Sequence, residues 1–164
     1  MPLNRVQSRL EVLVVDDHAD VRTLVVDFCN HHGFSVTQAH DGRAALAAIL
    51  RGTVRYDVVV TDLHMPGADG FEVLRVARSV NPDCYVVMVT GYATLDTALR
   101  AVREGAYDYL SKPFALGQME ALFNRIRERM ALETEHAVLA VRLDTITERL
   151  TRIEDLLKRL TRPV

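Results

Sequence analysis

Between positions 10 and 114, short β-branched runs alternate with helical patterns, and few architectures accept that alternation. The runs span 10–15, 34–39, 56–61, 84–90 and 107–110; the helical patterns span 20–31, 42–51, 70–80 and 94–104, and a fifth begins at Leu116. Gly33, Pro82 and Gly105 act as stops. Stretches such as Val58-Val59-Val60 and Val86-Val87-Met88-Val89 carry no polar alternation, which fits strands covered on both faces. The expectation is an α/β fold: one doubly wound, five-stranded parallel sheet in the order 2-1-3-4-5, continued by a long C-terminal helix.

In such a sheet the ligand site lies outside the carboxyl ends of the strands, around the switch point. Asp16 and Asp17 follow the first run, Asp62 the third, Thr90 ends the fourth and Lys112 follows the fifth. Three carboxylates at one edge repel each other, and a divalent cation relieves the repulsion. An oxygen-only donor set of carboxylates, a backbone carbonyl and water suits Mg2+. A lysine and a threonine hydroxyl beside a metal-bound aspartate would give the terminal oxygens of a phosphoryl group their partners.

Four segments carry a resemblance: Val14-Val15-Asp16-Asp17-His18, Val60-Thr61-Asp62-Leu63-His64-Met65-Pro66-Gly67, Val89-Thr90-Gly91-Tyr92-Ala93 and Tyr107-Asp108-Tyr109-Leu110-Ser111-Lys112-Pro113-Phe114. Together they resemble the receiver domain of two-component response regulators, a flavodoxin-like fold, over about residues 10–130. The Gly91-Tyr92-Ala93-Thr94 and Gly105-Ala106-Tyr107-Asp108-Tyr109 stretches are most similar to receivers of enhancer-dependent transcription activators.

The resemblance implies that Asp62 accepts a phosphoryl group from the phosphohistidine of a sensor histidine kinase. It assigns Mg2+ to Asp17, Asp62 and the backbone carbonyl of His64, with Asp16 acting mainly through bound water. Lys112 would pair with a phosphoryl oxygen, and the Thr90 hydroxyl would move onto another and draw Tyr109 inward as the switch. A cis Lys112-Pro113 bond is expected, since cis bonds are essentially confined to X-Pro. An acyl phosphate hydrolyses, so the domain would also be a timer. His64 and Tyr92, two places beyond Asp62 and Thr90, would flank the path of the attacking water. Self-phosphorylation from a phosphodonor and autodephosphorylation are all the catalysis expected.

After position 117 the chain has neither Gly nor Pro until Pro163, so one long helix or two joined helices can run through. Leu139, Leu143, Ile146, Leu150, Ile153, Leu157 and Leu160 are spaced alternately four and three apart, a heptad seam. Met119, Phe123, Ile126 and Met130 repeat in an offset register, with polar Glu133 to His136 between the two sets. The domains expected are therefore a receiver over 1–130 and a coiled-coil helix over 131–164. The first set would close the receiver core; the second would pair chains into a homo-oligomer through 139–160, with Arg149 meeting Glu154 of a neighbour.

Composition narrows the partners. Twenty basic and 22 acidic residues leave a net charge of -2, and the nine basic and eight acidic residues of 116–164 are interspersed, so no basic face offers itself to DNA. The start of the chain lacks a signal-peptide hydrophobic region and no run is long enough to span a membrane, which predicts a cytoplasmic protein without membrane contact. Cys29 and Cys84 sit in apolar runs and are expected to be core residues. None of the six histidines is assigned to metal through its side chain; surface or capping positions are expected.

Two function classes follow. One is a stand-alone phosphoacceptor switch that signals to a kinase, regulator or effector protein through its coiled coil; the other is the receiver-plus-linker part of a larger transcription activator. A phosphatase of the haloacid dehalogenase type would need a second aspartate where His64 stands, and no P-loop motif is present.

Overall fold

The computed structural model describes residues 9–160, with 156–160 described by backbone alone. The elements in chain order are β1 (Glu11–Val15), α1 (Ala19–His31), β2 (Ser35–Ala39), α2 (Gly42–Arg51), β3 (Val58–Thr61), α3 (Gly70–Val80), β4 (Tyr85–Thr90), α4 (Leu95–Glu104), β5 (Asp108–Ser111) and α5 (Leu116–Leu160). The strands form one parallel sheet ordered β2-β1-β3-β4-β5, as the alternation predicts. The chain leaves β1 for β2 on one side and returns to place β3 on the other, which makes the β1–β3 boundary the switch point.

Strand sequence and burial agree. Leu13, Val15, Val59, Val86 and Met88 join a core with Phe71 and Leu74 of α3 and Ala45 and Ile49 of α2. Val12, Val14, Val58 and Val60 alternate with these and are equally buried, so both faces of the central strands are covered. The ladders trim the expected runs. Tyr56 is buried but precedes β3, where its carbonyl accepts from the Asn81 side chain at 2.8 Å instead of from a neighbouring strand.

Helix starts follow from capping. Asp41 accepts the Ala44 N–H at 2.7 Å and Asp69 the Glu72 N–H at 2.8 Å, while Thr94 and Thr97 form a reciprocal capping box, which moves the start of α4 to Leu95. The loop between β3 and α3 is pinned by a close approach: the Gly70 N–H donates to the Leu63 carbonyl at 2.9 Å, and a Cβ on Gly70 would collide with the Asp62 carbonyl oxygen. Only glycine fits there, immediately beside the expected nucleophile.

The chain divides into two compact units after Met119. Along α5, which is one uninterrupted helix, Met119, Leu122, Phe123 and Ile126 are buried. From Leu132 onward the character changes: Leu139, Leu143, Ile146, Leu150 and Ile153 are all 47% exposed or more. Leu157 and Leu160 of the heptad seam lie outside the described side chains.

Candidate functional site

Register brings the site together. Val15 pairs with Thr61, so the chains leave β1 and β3 side by side, joined by the Asp62 N–H to the Val15 carbonyl at 2.9 Å. Asp16 and Asp62 therefore emerge at one level, each only 4% exposed. Thr90 pairs with Ser111 at the end of β4 and β5, and the Lys112 N–H donates to the Thr90 carbonyl at 2.8 Å. The Lys112-Pro113 bond is cis, as expected.

Lys112 closes the constellation. Its Nζ lies 2.6 Å from Asp16 Oδ2 and 2.9 Å from Asp62 Oδ2, bridging residues 96 and 50 positions away. Burial works against the ammonium, but hydrogen bonds and charge from Asp16 and Asp62 outweigh it and raise the Lys112 pKa above the ordinary lysine value. The second oxygen of Asp62 is also held, accepting the N–H groups of Leu63 at 2.6 Å and His64 at 3.3 Å. Asp16 Oδ1 accepts the His18 N–H at 2.9 Å.

Asp17 stands at the mouth, its side chain 28% exposed, with Oδ1 at 3.0 Å from His18 Nδ1. Ligand atoms of Asp16, Asp17, His18 and Asp62 lie within 4.8 Å of one another. Three carboxylates against one ammonium leave net negative charge in a half-buried hollow, so the donor chemistry fits a divalent cation such as Mg2+.

Thr90 is fully buried, and its hydroxyl oxygen accepts the Tyr92 N–H at 3.2 Å. Tyr109 is half-buried against the core, with its hydroxyl 2.7 Å from Thr97 Oγ1 on α4. The rings of His64 and Tyr92 meet edge to face, 5.4 Å between centroids, and both side chains face solvent. Cys29 and Cys84 are buried and burial pushes each thiol up to about 12, which removes them as nucleophiles at neutral pH.

Three contributors escaped the sequence reading. Arg22 donates from Nη1 to the Asp16 carbonyl at 2.7 Å, an interaction with a backbone group that no motif announces. Thr97 holds Tyr109 from twelve positions away, and its place in the α4 capping box shows only in the structure. His18 sits at the N-cap of α1, among the capping positions expected of the histidines, yet its side chain makes no capping hydrogen bond and turns to the carboxylates.

Residues 12–124 match the family model described as "Response regulator receiver domain". The chain belongs to that family. Its relatives include the nitrogen assimilation regulatory protein NtrX of Azorhizobium caulinodans, 32% identical over 76% of this receiver chain and 28% of that protein. The regulatory protein AtoC of Escherichia coli is 35% identical over 76% of the chain and 26% of its own length. The transcriptional regulatory protein DctD of Rhizobium meliloti is 30% identical over 87% and 30%. This receiver chain thus spans about a third or less of these relatives, which agree with the expected likeness to activator receivers.

Solved structures agree with the fold. A receiver domain from Clostridium thermocellum superposes with a TM-score of 0.68 at 29% identity, covering 75% of this chain and 98% of that one. A response regulator from Burkholderia pseudomallei, described with a phosphorylated aspartic acid, calcium ion and citrate, matches with a TM-score of 0.64 at 30% identity, over 76% and 72%. No described helix is long and apolar enough to cross a membrane.

Proposed function

We propose that this receiver takes a phosphoryl group from a histidine kinase onto Asp62. The observation that carries the reading is the Lys112 ammonium held between Asp16 and Asp62 at 2.6 and 2.9 Å, beside the end of the strand that carries Thr90. The Burkholderia relative, with its phosphorylated aspartic acid and calcium ion, supports it.

The chemistry follows from the groups present. An Asp62 carboxylate oxygen attacks the phosphorus of phosphohistidine; the new P–O bond forms as the P–N bond breaks, and the imidazole leaves with the electron pair. Asp16, Asp17, Asp62 and the His64 carbonyl are the residues that would hold a Mg2+ ion, which would supply positive charge for the oxygens of the incoming group. Lys112 leaves Asp62 Oδ2 for a phosphoryl oxygen, and Thr90, released from the Tyr92 N–H, takes another. Tyr109 then gives up Thr97 and moves inward. The return step is attack of water on phosphorus, with His64 and Tyr92 setting access.

Output belongs to the second part of the chain. In this reading the receiver covers 1–130, and the helix over 131–164 associates with copies of itself through 139–160. The exposed seam of Leu139, Leu143, Ile146, Leu150 and Ile153 supports that role. The protein would act in the cytoplasm on a kinase and an effector protein, without direct contact with DNA. The alternative, the receiver and linker of a larger activator, draws on the small share of its relatives that the chain spans.

The test is incubation with a small phosphodonor or a phosphorylated kinase, with and without Mg2+, read by intact mass. Mg2+-dependent addition of one phosphoryl group that Asp62→Asn abolishes supports the proposal; undiminished addition to Asp62→Asn overturns it. Light scattering on the full chain reads the helix: monomeric mass in every state removes self-association.

A further inference from the structure

The turn that carries Asp16 and Asp17 is braced from α1 by Arg22. Asp16 Oδ1 accepts the His18 N–H at 2.9 Å, a side-chain turn whose middle is the peptide between Asp16 and Asp17. Because β1 ends at Val15, the Asp16 carbonyl is bonded by Arg22 Nη1 at 2.7 Å instead of by a strand ladder. The same guanidinium donates from Nε to Gln38 Oε1 at 3.3 Å, on the edge strand β2. A planar fork with two anchors ties that peptide to both the helix and the sheet. The peptide in turn aims Asp17. Lys112 grips one oxygen of Asp16 and of Asp62, and nearby N–H groups hold the other. Asp17 has no such grip: among the described residues its carboxylate meets the exposed His18 ring, at 3.0 Å. The direction of its side chain therefore comes from the backbone, and rotation of the 16–17 peptide would swing it away from Asp16 and Asp62.

We propose that Arg22 is a positioning residue for phosphoryl transfer: by fixing the Asp16 carbonyl it holds Asp17 where it can share a divalent ion with Asp16 and Asp62. The role rests on reading those aspartates as a Mg2+ site. Mg2+ demands near-ideal octahedral geometry at about 2.0–2.1 Å, so a ligand free to swing costs it affinity. Charge alone predicts the opposite sign. A guanidinium is always protonated and repels a nearby cation, so an arginine acting only through its charge would weaken Mg2+ binding, and its removal would tighten it. A bond that merely supports the fold predicts a third result, lower stability with unchanged affinity.

The experiment titrates Mg2+ into the full chain, parent and variants, following the amide resonances of residues 16–18 and 62–64, with a urea midpoint measured for each. Arg22→Gln loses the fork and the charge and should weaken Mg2+ about tenfold, the low end of the roughly 10–100-fold cost of removing a partner behind a metal ligand. Arg22→Lys keeps the charge and one donor and should recover part of that loss. Gln38→Leu removes only the outer anchor and should weaken Mg2+ less than Arg22→Gln does. Phosphoryl capture from a small phosphodonor should need more Mg2+ in Arg22→Gln and return when Mg2+ saturates. Unchanged or tighter Mg2+ binding by both Arg22 variants, whatever their urea midpoints, overturns the proposal. Capture that saturating Mg2+ fails to restore in a folded Arg22→Gln overturns it too. Asp17→Asn keeps the two readings apart: if it weakens Mg2+ while the Arg22 variants do not, the cation site stands and the role of Arg22 falls. If the parent binds no Mg2+, the site itself falls and the role with it.

Discussion

The two ends of the sheet use similar residues to opposite purpose. At the amino ends of the strands, Asp57 accepts the Glu11 N–H at 3.0 Å, and buried Asn81 donates to the Tyr56 carbonyl at 2.8 Å while accepting from Arg55 at 2.6 Å and the Asp83 N–H at 3.3 Å. Polar groups there meet complementary ones, many on the backbone, and the result is structural. At the carboxyl ends, Asp16 and Asp62 share one ammonium, and Asp17 lies in the same cluster of carboxylates. Like charges held together cost stability, and that imbalance of charge, absent at the amino ends, is what supports the proposed site.

Predictions can break that contrast. The largest effect is chemical: Asp62→Asn should abolish phosphoryl capture, measured by intact mass, while its urea midpoint stays equal to the parent's or rises because one repelling charge is gone. A clear fall in that midpoint would make the carboxyl end as structural as the amino end. Next, Asn81→Ala should cost about 1–3 kcal/mol in urea unfolding, since it strips a partner from the buried Tyr56 carbonyl, and should leave phosphoryl capture intact.

Lys112 links the site to pH. Its pKa is raised on folding, so the stability it contributes is fully present below the ordinary lysine value of 10.5 and is lost as pH climbs through the higher folded value. Thermal melts of Lys112→Met should therefore lack part of the alkaline decline seen in the parent; identical declines would show that the bridge to Asp16 and Asp62 does not persist in solution.

Smaller effects sharpen the picture. Thr97→Val removes the hydroxyl that both caps α4 and holds Tyr109, and should cost about 0.5–2 kcal/mol. The Tyr109 ring resonance should shift toward its position in the beryllofluoride-treated parent, and an unmoved resonance would deny Thr97 any hold on it. Smallest of all, Cys29 and Cys84 should resist thiol reagents in the native protein at pH 8 and react once it is unfolded. Rapid native labelling would mean that the core opens readily around them.

Much of this was legible in the chain itself. Periodicity alone separates strands from helices here, because the central strands are apolar throughout and the helices are closed by glycine, proline or capping residues. The candidate site was legible for the same reason: each polar residue stands at the end of a different apolar run, and the switch-point rule collects those ends. Asp16, Asp62, Thr90 and Lys112 could be named without coordinates.

Tertiary structure decided the rest, because it depends on distances between residues far apart in sequence. Register placed Asp16 level with Asp62 and stretched Lys112 between them. Arg22 found a backbone carbonyl, Thr97 found Tyr109, and His18 turned from its capping duty to the carboxylates. A linear pattern encodes which face or end a residue occupies, since period and punctuation are local. It does not encode which donor meets which acceptor, since that is set by the packing of separate elements.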